Sequence, residues 1–195
     1  MNMLNNSGSQ SPSSSLQEIA QTFRLTGWIS FWAQLVLGVV ATVILGFASF
    51  SRGVAVENQR VGTGVGIFFA GAGVITLTVS IFWAFRYTKI AKQLQSSNPN
   101  NRPRKADTIQ LLRLGLIISL VGLLISLVGA QAIVGALLAK SLTLPQAGVG
   151  VYQIDPSRII RPLDIFVVQA NTNTTAAHFA GLIASIWLLN RVHRQ

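Results

Sequence analysis

The chain has 195 residues, half of them hydrophobic and only 10% charged, with a net charge of +10, a mean hydropathy of +0.52 and no cysteine. Without cysteine there are no disulfides, thiolate metal sites, iron–sulfur ligands or cysteine nucleophiles. The basic excess does not point to nucleic acid, because Lys and Arg collect at the ends of apolar stretches rather than along a groove that would neutralise phosphates.

Residues 1–14 are Asn, Ser, Gln, Gly and Pro with little to bury, and read as disordered. Ser15 and Glu18 then make an S-x-x-E capping box, and Leu16, Ile19, Ala20 and Phe23 recur at i, i+3, i+4 and i+7. This predicts a short amphipathic helix lying along the membrane interface. Four stretches follow, 28–50, 65–85, 114–138 and 165–189, that contain no Lys, Arg, Asp or Glu. A hydrocarbon core of about 30 Å needs roughly 20 apolar residues at 1.5 Å rise, and each stretch reaches that length. The expected fold is all-α: a polytopic membrane protein, one domain over 15–195, in which a four-transmembrane-helix bundle follows the interfacial helix. The leader lacks a basic n-region and the Arg richness of a transit peptide, so the first span is expected to persist in the mature chain.

With four spans, the N-terminus, the loop between spans two and three, and the C-terminus share a side. Ten of the 15 basic residues lie there, among them Arg24, Arg86, Lys89, Lys92, Arg113 and Arg191. The excess predicts cytoplasmic termini. Trp28, Trp32, Trp83 and Trp187 sit at the matching span ends, where the headgroup zone favours aromatic rings. In the middle loop, the run Arg102, Pro103, Arg104, Lys105 reads as a topology determinant, with anionic headgroups as an alternative ligand.

The second span opens on Gly62, Thr63, Gly64, Val65, Gly66. No preceding strand and no Lys–Ser/Thr ending accompany it, so a phosphate loop is rejected. Gly66, Ala70, Gly73, Ser80 and Ala84 form a stripe of small residues broken by Leu77. A second stripe, Gly115, Ser119, Gly122, Ser126 and Gly129, runs along the third span at 4-3-4-3 spacing. Small residues let helix backbones approach closely in lipid, which marks the two stripes as candidate partners, within one chain or between copies.

The fourth span is the unusual one, for it carries Gln169, Asn171, Thr172, Asn173, Thr174, Thr175 and His178. At 100° per residue Asn171, Thr174, Thr175, His178, Gly181 and Ser185 share a face roughly 120° wide. Such groups must be wrapped by protein or line a cavity. Two readings stand side by side: hydrogen-bonded glue between helices, or a transport pathway lined by Asn171, Thr174, Thr175 and His178, with Gln131 and Gln34 as further candidates. His178 and Asp164, with Asp155 nearby in sequence, offer imidazole and carboxylate donors to a divalent metal, although two His and no intramembrane carboxylate support a tight site poorly. No Ser–His–acid set is present, so an enzyme is not expected, and no cofactor is implied.

The segments Phe23 to Gln34 and Val168 to Phe179 resemble cyanobacterial members of the Tic twenty-one, or Permease In Chloroplasts, family, and the resemblance extends over nearly all of the chain after Leu16. It implies four spans with both termini on the cytoplasmic or stromal side, in a bacterial plasma membrane or thylakoid. It also implies one of two roles, iron transport or membership of a protein-import translocon. The expectation is an oligomeric permease for iron or a related metal ion, with the pathway supplied by the oligomer. The alternative is a structural or assembly subunit of a membrane complex.

Overall fold

A computed structural model describes residues 14–53, 64–96, 102–142 and 160–194. The leader 1–13, the Gly62–Thr63 pair and Asp155 lie outside the described residues. The described residues form four α-helices: α1 (Ser14–Gly53), α2 (Gly64–Leu94), α3 (Lys105–Leu142) and α4 (Pro162–His193). Each packs against its neighbours in the order α1, α2, α3, α4 and back to α1, and α2 touches α4 across the diagonal. The helices run antiparallel in sequence order, so the start of α1 and the end of α4 lie at one end of the bundle.

Three helices, α1, α2 and α3, are long and apolar enough to cross a membrane. α4 is of similar length, but its Asn, Thr, Gln and His content dilutes its apolarity. Its start is well specified. Pro162 occupies the first turn, where its missing N–H costs nothing, and the Arg161 backbone N–H donates to Asp164 Oδ2 at 3.1 Å.

The N-terminal segment differs from expectation. Residues 15–23 do not form a separate helix; they are the first turns of α1, which runs 40 residues, about 60 Å at 1.5 Å per residue. The periodic face is real, but its partner is protein. Ile19, Ala20 and Phe23 pack into a cluster with Tyr87, Ile90, Ala91 and Leu94 of α2, Leu112 of α3, and Leu188 and Val192 of α4. Arg191 of α4 pairs with Glu18 across the α1/α4 seam. An amphipathic helix contiguous with a span gains more by covering the ends of its sister helices than by turning away from them.

Around this cluster Arg24, Arg86, Lys89, Lys92, Lys105 and Arg113 are all exposed. The basic end of the bundle thus follows the rule of a soluble protein, apolar inside and charged outside. Below it the rule inverts. The outward positions of the four helices are mostly apolar, including Val36, Val43, Phe47, Phe68, Ile75 and Leu124, while buried positions carry Ser, Thr, Asn, Gln and His beside small and aliphatic residues. Outward hydroxyls on α1, α2 and α4 are satisfied within their own helix: Thr42 donates to Gly38 O, Thr78 to Val74 O and Thr172 to Val168 O.

Candidate functional site: a polar column on the bundle axis

The inward face of α4 meets the small-residue stripe of α3 in strict antiparallel register. Gly181 faces Ser119, His178 faces Gly122, and Asn171 faces Gly129. At each level a bulky polar group on one helix stands over a glycine on the other. The stripe of α2 meets the same face of α3 from the other side: Gly66 abuts Ile133, Gly73 lies against Ser126 and Thr174, and Ser80 reaches Ser119. Gly115 accommodates the Tyr87 hydroxyl, which would stand 1.8 Å from a Cβ there. All seven small residues singled out from the sequence, Gly66, Gly73, Gly115, Ser119, Gly122, Ser126 and Gly129, are therefore occupied by contacts inside one chain.

From these levels a column of hydrogen-bonded side chains builds up. Nearest the basic end, the Tyr87 and Ser185 hydroxyls are 3.0 Å apart, and Ser185 donates to Gly181 O. Next, Ser80 Oγ donates to Gln34 Oε1 at 2.7 Å and lies 3.1 Å from Ser119 Oγ, while Gln34 Nε2 donates to Ser30 Oγ. At mid-bundle the His178 ring lies flat over Gly122, where an added Cβ would stand 2.1 Å from Cε1. Its Nε2 donates to Gly73 O at 3.1 Å and sits 3.3 Å from Thr76 Oγ1. Because a carbonyl can only accept, Nε2 carries the proton, and the lone pair of a neutral ring is on Nδ1. Further along, Asn171 Nδ2 donates to Ser126 O at 2.9 Å, and Thr174 donates to Ala170 O. There the column ends on a buried apolar cluster of Ala48, Ala70, Ile133 and Val167, and beyond it Lys140 Nζ pairs with Asp164 Oδ2 at 3.1 Å.

Two polar atoms in this column have no hydrogen-bond partner: His178 Nδ1 and Asn171 Oδ1. Both residues are buried, and they stand two turns apart on one face of α4. An unpaired buried polar atom costs about 1–3 kcal/mol, so a helix interface selected for stability alone would avoid two of them.

Of the pathway candidates, Asn171, Thr174, His178 and Gln34 come together on the axis. Thr175 is half-buried beside them, with its hydroxyl donating to Asn171 O. Gln131 does not join: it lies two residues from both Gly129 and Ile133, close to the opposite face of α3, and is exposed. The proposed metal pair also fails to assemble. Asp164 and His178 are 14 positions apart on one helix, about 21 Å at 1.5 Å per residue, and Asp164 is engaged by Lys140 and the Arg161 backbone. Among the described residues, no three His, Cys, Asp or Glu side chains cluster as metal ligands. Sequence reasoning missed Ser30, Thr76 and Tyr87. The i, i+4 spacing of Ser30 and Gln34 was an available signal, and so was the phase of the α2 stripe, which puts Thr76, three residues after Gly73 and four before Ser80, on its side and Thr78 on the other.

A family model described as protein of unknown function (DUF3611) matches residues 13–193. Protein TIC 21, chloroplastic, of Arabidopsis thaliana is 37% identical over 183 residues, which cover 91% of this chain and 58% of that protein. The chain thus spans less than two thirds of its relative's length. No solved structure matches the chain. The matched region takes in all four helices and every residue of the column, and the resemblance to the Tic twenty-one group rests on that whole length: the chain belongs to the DUF3611 family.

Proposed function

We propose that this membrane protein is a permease whose α4 is a fourth transmembrane helix, and that the axial polar column is its solute path in a closed state. The single observation that carries this reading is the pair of buried, unpartnered acceptors, His178 Nδ1 and Asn171 Oδ1, on one face of a column that reaches from Tyr87 to Asn171, beyond which the apolar cluster of Ala70, Ile133 and Val167 closes the axis. Groups of this kind inside a membrane bundle are costly to keep without a ligand. Their inward direction supports a path inside one chain rather than between copies. The donors are neutral oxygens and one imidazole nitrogen, a set that binds weakly enough for a solute to leave as well as enter. Iron or a related divalent ion, the cargo implied by the family resemblance, suits such donors as a passing substrate rather than a resident metal. The charge bias supports cytoplasmic termini, and the family resemblance supports a plasma or thylakoid membrane. The residues of the column suggest no catalytic chemistry.

A second reading, an assembly subunit of a membrane complex such as a protein translocon, is favoured by a different observation. The helices close on the axis through glycine contacts, and most of the polar groups pair with one another. Uptake of radioactive ferrous ion into proteoliposomes decides between the two. Wild type is expected to exceed empty vesicles, with uptake lost in His178→Ala and Asn171→Leu but kept in the outward-facing Thr172→Ala, all at equal helical content. No uptake by folded wild type, with or without an imposed gradient, removes the lone-permease reading and leaves the assembly role.

A further inference from the structure

The outer face of the α1/α2 seam carries a groove of about 300 Å³, at the lower end of the size of small-molecule sites. Leu35, Gly38 and Thr42 of α1 and Leu77, Thr78 and Ile81 of α2 line it. Gly38 makes the depression: without a side chain it lets Leu77 and Ile81 settle against the α1 backbone, within 3.0 and 3.5 Å of where its Cβ would be. Both threonine hydroxyls are spent on their own helices, so the lining presents no free polar group on either.

Toward the basic end the same two helix faces change character in order. One turn above Leu35 is Phe31, whose ring meets Phe85 of α2 at 5.9 Å and stacks on Trp28 at 5.6 Å. One turn above Phe85 is Lys89, its Nζ held 5.3 Å from the Phe85 ring centre, and one turn above Trp28 is the exposed Arg24. Along α2, Lys89 stands about 12 Å above Ile81 at 1.5 Å per residue. Apolar groove, aromatic collar and two cations therefore follow one another along the α1/α2 seam, in the sequence chain, glycerol region, phosphate of a membrane lipid.

We infer that this seam is a binding site for an anionic glycerolipid, with one acyl chain in the Gly38 groove and the headgroup phosphate between Arg24 and Lys89. The cations select the headgroup and the groove holds the chain, so the two halves are separable by mutation. The site shares no side chain with the axial column, and it stands or falls independently of the permease reading.

Spin-labelled phosphatidylglycerol and phosphatidylcholine, each in vesicles holding the full-length protein, test this through the motionally restricted lipid fraction. Wild type should retain phosphatidylglycerol on the order of tenfold more strongly, since each interfacial cation favours an anionic headgroup several-fold. Arg24→Gln with Lys89→Gln should abolish that preference, whereas Arg86→Gln with Arg113→Gln, the same charge loss on the α3 side of the bundle, should keep it. Thr78→Phe, which fills the groove from an exposed position, should reduce retention with the cations intact. Equal retention of the two lipids by wild type, or equal loss in the α3-side control, would overturn the proposal.

Discussion

The basic end of the bundle and its axial column are built from the same four helices by opposite rules. At the basic end, Phe23, Tyr87, Leu112 and Leu188 form an apolar cluster beneath a shell of Lys and Arg. Two to three turns further along, Ser80, Ser119, Gln34 and His178 occupy the interior and Val, Ile, Leu and Phe face outward. Where the surroundings are water, burying apolar area drives packing at roughly 25 cal/mol per Å². Where they are hydrocarbon that driving force vanishes, and glycine-mediated contact and hydrogen bonds take its place.

That contrast makes the two regions respond differently to mutation. The largest effect is expected at the basic end: Phe23→Ala removes a fully buried ring from the apolar cluster and should cost about 3–5 kcal/mol. Detergent-titration unfolding followed by circular dichroism measures it, and a loss below about 1 kcal/mol would show that this cluster does not obey the aqueous rule.

An intermediate effect is expected on the axis. Gly122→Ala places a Cβ 2.1 Å from the His178 ring, which must leave its position over α3, at a cost of about 1–3 kcal/mol. The sharper form is the pair: combined with His178→Ala, the alanine fits the vacated space, so the double variant should be more stable than the sum of the single losses predicts. Additive losses would mean that His178 does not lie over Gly122.

The smallest effect is expected at Gly135→Ala. This glycine belongs to the same helix as the packing stripe, but an added Cβ meets nothing within 4 Å. The change should be stabilising by no more than about 1 kcal/mol, the helix-propensity gain of alanine over glycine. A large loss at Gly135 would point to a partner, a second copy or another subunit, seated on the outer face of α3.

Much of the site was legible before any coordinates. The 4-3-4-3 spacing of Gly115 to Gly129 and the shared face of Asn171, Thr174 and His178 follow from helical geometry, and both sets of residues lie on the axis. Gln131 shows where that reasoning stops. Its polarity and depth suggest a place in the column, yet depth does not specify azimuth, and two residues along a helix turn a side chain about 200°. Asp164 and His178 illustrate the complementary limit: their donor chemistry suits a metal, yet Asp164 belongs to the first turn of α4 and four turns of helix separate the two.

The sequence by itself determined the class of the molecule: long uncharged stretches, the basic bias and the small-residue stripes dictate apolar helices that pack closely in a bilayer. Only the tertiary structure decided that the N-terminal amphipathic turns cover the bundle end instead of the membrane surface. It also decided that both stripes are spent within one chain, and that His178 lies over Gly122 with Nδ1 unpaired. The physical reason is that periodicity fixes which face of a helix is buried, whereas the choice among partners with equally apolar or equally small faces depends on register and rotation, which are properties of the assembled bundle.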